Sequence, residues 1–216
     1  MKKILVAGAT GLIGHTVLQL LLQRKDVQAI VLARKRLTEL PEQQQWIGDD
    51  LVAVLKDEPV DAVICCLGTT IKKAGSQAAF RHVDHDLVIG LGKWAGEKGV
   101  PVFSVVSAIG SDPSSWIFYN KVKGEMERDL ESLPIASLNI FQPSILTGPR
   151  KETRIGERIG IVLTSLVAPF MIGSMKRFKP MPHDILAKAL IVTAVNAVPG
   201  VHRHSYDGIK ELADAY

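Results

Sequence analysis

Residues Val6–Gly14 read V-A-G-A-T-G-L-I-G. The apolar run Ile4-Leu5-Val6-Ala7 leads into three glycines, each three residues after the last, and a segment with helical apolar spacing follows at once. Strand, glycine turn and helix in that order build a phosphate cradle. Gly8 can take the backbone angles of the tight turn. Gly11 has no Cβ, so a pyrophosphate can approach the main chain, and Gly14 lets the helix lie close against the strand. The helix N-terminus then offers free N–H groups and the positive end of its dipole to the anion. The general dinucleotide fingerprint is G-x-G-x-x-G; this one, G-x-x-G-x-x-G, carries one more residue in its turn. A glycine triplet also serves plain βα turns, but here the required strand and helix flank it. Gly8, Thr10, Gly11, Leu12, Ile13 and Gly14 are therefore expected beside a dinucleotide. Thr10 either bonds a phosphate or only closes the turn.

Composition narrows the class. A chain of 216 residues suits one α/β domain with a full core. Its 47% hydrophobic and 22% charged residues are the balance of a globular protein. The formal net charge is +4, but the basic residues are scattered. A nucleic-acid footprint needs a concentrated basic face, so no nucleic-acid partner is expected. Neither the acids nor the histidines follow a common metal-ligand spacing, so no metal is expected either. Cys65 and Cys66 are adjacent in an apolar run; neighbours in a strand point to opposite faces and seldom bridge. They read as buried thiols of a reducing compartment, the cytoplasm. Met1-Lys2-Lys3 before an apolar run imitates a signal peptide, but the glycines break it and an amphipathic helix continues past it. Ile159–Gly173 is too short, and too interrupted by Pro169, to span a bilayer.

Strands and helices alternate along the chain. Lys3–Ala7 reads as a strand buried on both faces, and Ile13, Val17, Leu20 and Leu21 mark one face of a helix. Val27–Ala33 is the second strand, ending in Arg34-Lys35-Arg36. An acidic residue there would accept from a ribose 2′-hydroxyl and select NAD. Three cations suit a 2′-phosphate instead, with Arg34 best placed for a bidentate contact; the plain alternative is a solvated basic loop. The electrostatics favour NADP(H) over NAD(H). Leu37–Gln45 reads as a short helix and connector, and Gln45–Gly48 as a third strand. Asp49 either accepts from the adenine amino group or caps a helix. Leu51–Lys56 fits a strand or a short helix. Asp61–Leu67 is a buried strand, followed at its carboxyl end by Gly68-Thr69-Thr70, which with Leu67 is expected along the cofactor. Gly75–Gly96 is a long helix, Val100–Val106 a strand ending at Ser107, and Leu138–Gln142 a strand followed by Pro143-Ser144-Ile145. A helix begins at Pro182-His183-Asp184, and His202–Tyr206 reads as a last strand. This alternation implies a doubly wound parallel sheet with helices on both faces, in one domain over residues 1–216. Residues from about 148 onward are expected to form a substrate lid. There, Arg150, Lys151, Arg154 and Arg158 are either a patch for an anionic substrate or a solvated loop, and Ile159–Ile172 packs in the core, lines the substrate pocket or meets a partner.

The chemistry rests on Ser107, Tyr119 and Lys123. Tyr119-Asn120-Lys121-Val122-Lys123 is a Y-x-x-x-K pattern, and helix positions four apart share a face. Carbonyl reduction needs a proton on oxygen as hydride reaches carbon. A free phenol, with a pKa of about 10, is a poor partner at neutral pH; an ammonium and an oxidised nicotinamide beside it stabilise the phenolate. Lys123 can also hold the nicotinamide ribose, and Ser107 can bond the substrate oxygen. The pattern occurs by chance on helix surfaces. Its weight here comes from following a strand that ends in serine, downstream of a glycine cradle.

Taken together, G-A-T-G-L-I-G, C-C-L-G-T-T at Cys65–Thr70, the serine strand and Y-N-K-V-K-G-E at Tyr119–Glu125 make the chain resemble a short-chain dehydrogenase/reductase. The resemblance is to the extended or atypical type, most of all to the Tat-interacting-protein-like oxidoreductases, and it runs over nearly the whole chain. It implies a Rossmann fold, NADP(H) binding and a Ser-Tyr-Lys site at Ser107, Tyr119 and Lys123. Three departures stand out. Asp84 falls where many relatives have an asparagine in a proton relay. Gln142-Pro143 replaces an Arg-Pro, although Pro143, Ser144 and Ile145 still reach the nicotinamide amide by their backbone. The C-terminal part is short beside sugar-nucleotide-modifying relatives, which argues against a large nucleotide-sugar substrate. The expectation is an NADP(H)-dependent oxidoreductase, monomer or homodimer, acting on a small carbonyl or its alcohol. Two alternatives are a non-catalytic NADP(H) sensor that binds a protein partner and an isomerase that redox-cycles a bound cofactor.

Overall fold

The structure, a computed structural model, describes residues 1–148 and 178–216. In chain order the elements are β1 (Lys2–Ala7), α1 (Leu12–Leu22), β2 (Val27–Ala33), β3 (Gln45–Ile47), β4 (Ala62–Cys65), α2 (Ile71–Ala74), α3 (Gln77–Arg81), α4 (Leu87–Glu97), β5 (Val102–Val106), α5 (Phe118–Glu131), β6 (Ser137–Phe141), β7 (Leu146–Thr147), β8 (Met181–Pro182), α6 (His183–Val195), β9 (Gly200–His204) and α7 (Tyr206–Asp214). Seven strands pair in the order β3-β2-β1-β4-β5-β6-β9, every pair parallel. The order reverses between β1 and β4, which opens the ligand crevice of a Rossmann sheet at the strands' carboxyl ends. β7 and β8 make a separate parallel pair beside it.

Strand alternation feeds two cores. In β1, Ile4 and Val6 face the layer of α1 and α6, where they meet Val17, Leu21, Leu186 and Leu190. Leu5 and Ala7 face the layer of α4 and α5, with Val88, Leu91, Met126 and Leu130. All four β1 side chains are fully buried, which is why the run carries no polar residue.

The local differences from the sequence reading have identifiable causes. The connector before β3 holds a single 3-10 turn, Glu42–Gln44. Buried Gln45 occupies its backbone groups instead: Nε2 donates to Leu40 O (2.8 Å) and Leu37 O (3.0 Å), and Oε1 accepts from Leu37 N. Residues 51–54 form turns, neither strand nor helix, because Asp50 Oδ1 accepts from the N–H groups of Val52 and Ala53. The long helix expected over 75–96 starts after Ser76, whose hydroxyl accepts from Ala79 N, and it contains a π-helical turn at His82–Asp86. The last strand lies two residues earlier than expected, and α7 follows it. From Met181 onward the chain builds β8, β9 and the helices on the sheet. The part of the expected lid at 149–177 lies outside the described residues, as do Arg150, Lys151, Arg154, Arg158 and Ile159–Ile172. Among the described residues no helix is long and apolar enough to cross a membrane.

Candidate active site

Parallel strands put all their carboxyl ends on one edge, so the segments that follow them converge. The first is the glycine turn. Gly8 has φ +84°, and a Cβ there would stand 2.6 Å from the Cys66 carbonyl carbon. A Cβ on Gly14 would stand 2.2 Å from Gly8 O. These two glycines let β1, its turn and the end of β4 close on one another. Gly11 differs: it is exposed, and among the described residues its Cβ would meet only Gly8 O at 3.4 Å. Its N–H donates to Gly8 O (3.0 Å), and its carbonyl accepts from His15 N (2.8 Å) as α1 begins. Among the described residues no side chain caps α1. The amides of Leu12, Ile13 and Gly14 thus stand at a free helix N-terminus, fronted by a residue without a side chain. That is the donor set a pyrophosphate requires, and the residues present fit a dinucleotide. Ile13 contributes backbone alone, since its side chain is buried in the core. Thr10 is exposed at the turn.

After β2, Arg34, Lys35 and Arg36 are all exposed. Arg36 pairs with Glu42, whereas the side chains of Arg34 and Lys35 form no ion pair among the described residues. Asp49 is exposed just after β3. Beyond β4, Leu67 and Gly68 lead to Thr69, whose N–H donates to Asp84 Oδ2 (2.8 Å). The hydroxyl of Thr70 caps α2 by accepting from Lys73 N (3.1 Å). After β6, Pro143 O accepts from Ile109 N (2.9 Å). The hydroxyl of Ser144 donates to Lys179 O, and Ile145 O accepts from Met181 N (2.9 Å). The Ser144 hydroxyl is therefore already used within the protein.

α5 carries Tyr119 and Lys123 one turn apart. Tyr119 is half-buried against Phe80, ring centroids 5.5 Å apart. Lys123 is 3% exposed and Asp84 1%; Nζ lies 2.9 Å from Asp84 Oδ1 and donates to Val106 O at 3.4 Å. Burial acts to lower the pKa of the ammonium, but the Asp84 carboxylate and the nearby Tyr119 phenol outweigh it and hold Lys123 above the ordinary lysine value. Ser107 is fixed after β5 by its N–H to Phe141 O (2.7 Å). Its hydroxyl donates to Glu127 and lies 3.0 Å from Ser111 Oγ. The structure thus joins Lys123 to Asp84, and Ser107 to Glu127, a residue absent from the sequence reading. Glu127 is 4% exposed, accepts two bonds from Gln142 Nε2 (3.1 and 2.9 Å) and lies 3.7 Å from Arg203 Nε. Its signal was its position: four residues after Lys123, it continues the face that Tyr119 and Lys123 begin.

Comparison with known proteins shows the family. A family model described as NAD(P)H-binding matches residues 8–147. The rat protein HTATIP2 is 34% identical over 164 residues, covering 72% of this chain and 67% of its own. Protein FMP52, mitochondrial, from Meyerozyma guilliermondii is 30% identical over 207 residues, covering 90% and 86%. Among solved structures, human epimerase family protein SDR39U1 with NADPH aligns over 94% of this chain and 74% of that one, with TM-score 0.66 and 19% identity. The Bordetella bronchiseptica enzyme WbmH in complex with NAD+ aligns over 100% and 80%, with TM-score 0.67 and 18% identity. At such identities they share the fold. One expectation is overturned: FMP52 relatives from several fungi are named mitochondrial, which points away from the cytoplasm. Free cysteines report a compartment that does not oxidise them, and that does not separate the cytoplasm from a mitochondrial interior.

Proposed function

The chain belongs to the NAD(P)H-binding proteins of the atypical short-chain dehydrogenase/reductase type, and from that premise we propose that it is an NADP(H)-dependent oxidoreductase that reduces a small carbonyl compound or oxidises the alcohol. The observation that carries the reading is the buried Lys123 ammonium one turn of α5 from the half-buried Tyr119 phenol, on the edge where the glycine turn opens. The nicotinamide, when bound, supplies or takes the hydride.

The chain's own residues do the rest. The amides of Leu12, Ile13 and Gly14 hold the pyrophosphate. Arg34 and Lys35, which form no ion pair among the described residues, meet the 2′-phosphate, which is the ground for NADP(H) over NAD(H). Leu67–Thr70 and the backbone of Pro143–Ile145 border the nicotinamide end. Tyr119 gives its phenolic proton to the carbonyl oxygen as that oxygen gains charge. The positive Lys123 stabilises the negative charge left on the Tyr119 oxygen. Ser107 borders the substrate oxygen, and its hydroxyl donates there by rotating about a single bond away from Glu127. The sensor reading is not favoured, because a protein that only senses the cofactor has no use for a phenol and a buried ammonium one turn apart on α5.

The test is NADPH oxidation followed at 340 nm across a panel of small aldehydes and ketones. Wild type turns over at least one of them, and Tyr119→Phe lowers kcat by at least about 100-fold while NADPH still binds. Equal rates for the two proteins would remove Tyr119 as the acid.

A further inference from the structure

Lys123 occupies a place where an ammonium should be hard to keep. Burial strips its hydration and favours the neutral amine, and burial is the largest single influence on it. What faces it is Asp84. One carboxylate oxygen lies 2.9 Å from Nζ, and the other accepts from the Thr69 N–H at 2.8 Å. Asp84 reaches this point because it lies in the π-helical turn His82–Asp86, where an added residue per turn re-aims the side chains. The pair is roofed closely: a Cβ on Gly68 would stand 3.3 Å from Asp84 Oδ1 and 4.0 Å from Lys123 Nζ.

We propose that Asp84 is a positioning residue that keeps the buried Lys123 charged and ties it to the Gly68-Thr69 loop, so that the lysine and the cofactor-side loop move as one unit. The purpose of that charge rests on the function proposed above; the charge itself is measurable without any substrate. Asp84 is the strongest of the groups that favour the charged form, ahead of Tyr119. Cys65, at the end of β4, has its thiol pushed up to about 11 by burial, so it is neutral at pH 7 to 9. The neighbouring charges are engaged with one another: Arg81 with Glu125, and His85 with Asp86 and Asp129.

The test is a titration of full-length protein labelled with 13C at the lysine ε-carbons, followed by NMR from pH 7 to 11. The Lys123 resonance is identified by its absence in Lys123→Arg. In wild type it holds its proton beyond the surface lysines. In Asp84→Asn, with burial left unopposed, it loses its proton at least about one pH unit before them, and Asp84→Glu restores the wild-type order. A Lys123 in Asp84→Asn that titrates with or after the surface lysines overturns the proposal. Should Asp84→Asn fail to fold, the wild type decides: Lys123 titrating after the surface lysines supports the proposal, and titrating before them overturns it. A protein inactive toward every carbonyl in the panel leaves this result standing, so the two failures are distinguishable.

Discussion

At the scale of single residues, the sequence was most readable where chemistry forbids alternatives. Gly8 and Gly14 were legible because any Cβ there would strike backbone. The Y-x-x-x-K pair was legible because helical spacing alone puts both groups on one face. Glu127 was not, since a glutamate on an amphipathic helix ordinarily faces water, and its burial depends on Ser107 and Gln142 arriving from two other elements. The basic triplet was read as one unit, but Arg36 pairs with Glu42, whereas Arg34 and Lys35 form no ion pair among the described residues. A charge-assisted bond is worth about 1.5–3 kcal/mol. Arg34→Ala should therefore weaken NADPH binding by roughly tenfold or more and NADH binding by less than about twofold, measured by nicotinamide fluorescence. Equal losses for both nucleotides would return Arg34 to the solvent.

At the scale of elements, apolar runs gave the buried strands of the sheet, and turn chemistry blurred what lay between them. Local side-chain bonds decided the connectors: Gln45 and Asp50 satisfy backbone groups that a helix would otherwise use. The π turn was hidden because helical apolar spacing does not mark where one turn takes up an added residue. The edge strand β9 supplies a measurable pH response. His204 packs on the Phe141 ring at 4.7 Å and bonds Asn139 Oδ1 at 2.9 Å. Burial, helped by the nearby His202, lowers its pKa from the usual value near 6.5 to about 4. Between those values the unfolded chain binds the proton and the folded chain does not. His204 thus contributes stability above pH 6.5 that is lost as pH falls toward 4, about 1 kcal/mol once its partial exposure is allowed for. In urea melts at pH 7 and pH 4.5, His204→Gln should lose less stability on acidification than wild type by about that amount. Parallel losses would show that His204 takes up its proton without cost in the folded state.

At the scale of the molecule, the fold was legible because a parallel sheet demands a crossover after every strand, and the sequence shows strand and helix in alternation. Once the strands are parallel, every candidate segment falls on the same edge. The glycine turn, the basic triplet, Gly68–Thr70, Ser107 and Pro143–Ile145 then line one edge although up to 137 positions separate them. What alternation does not carry is how the carboxylates Asp84 and Glu127 organise that edge from within. The account stands on a nucleotide seated against the free N-terminus of α1. Gly11 is the place to test it, because among the described residues a Cβ there meets only Gly8 O, and the residue fronts the N-terminus of α1. The measurement is NADPH titration of wild type and Gly11→Asp by nicotinamide fluorescence, with a thermal melt of each. The account predicts melts within a few degrees of each other and binding at least about 100-fold weaker in the variant, a loss of about 2.7 kcal/mol as like charges meet. Undiminished NADPH binding by a folded Gly11→Asp would contradict it.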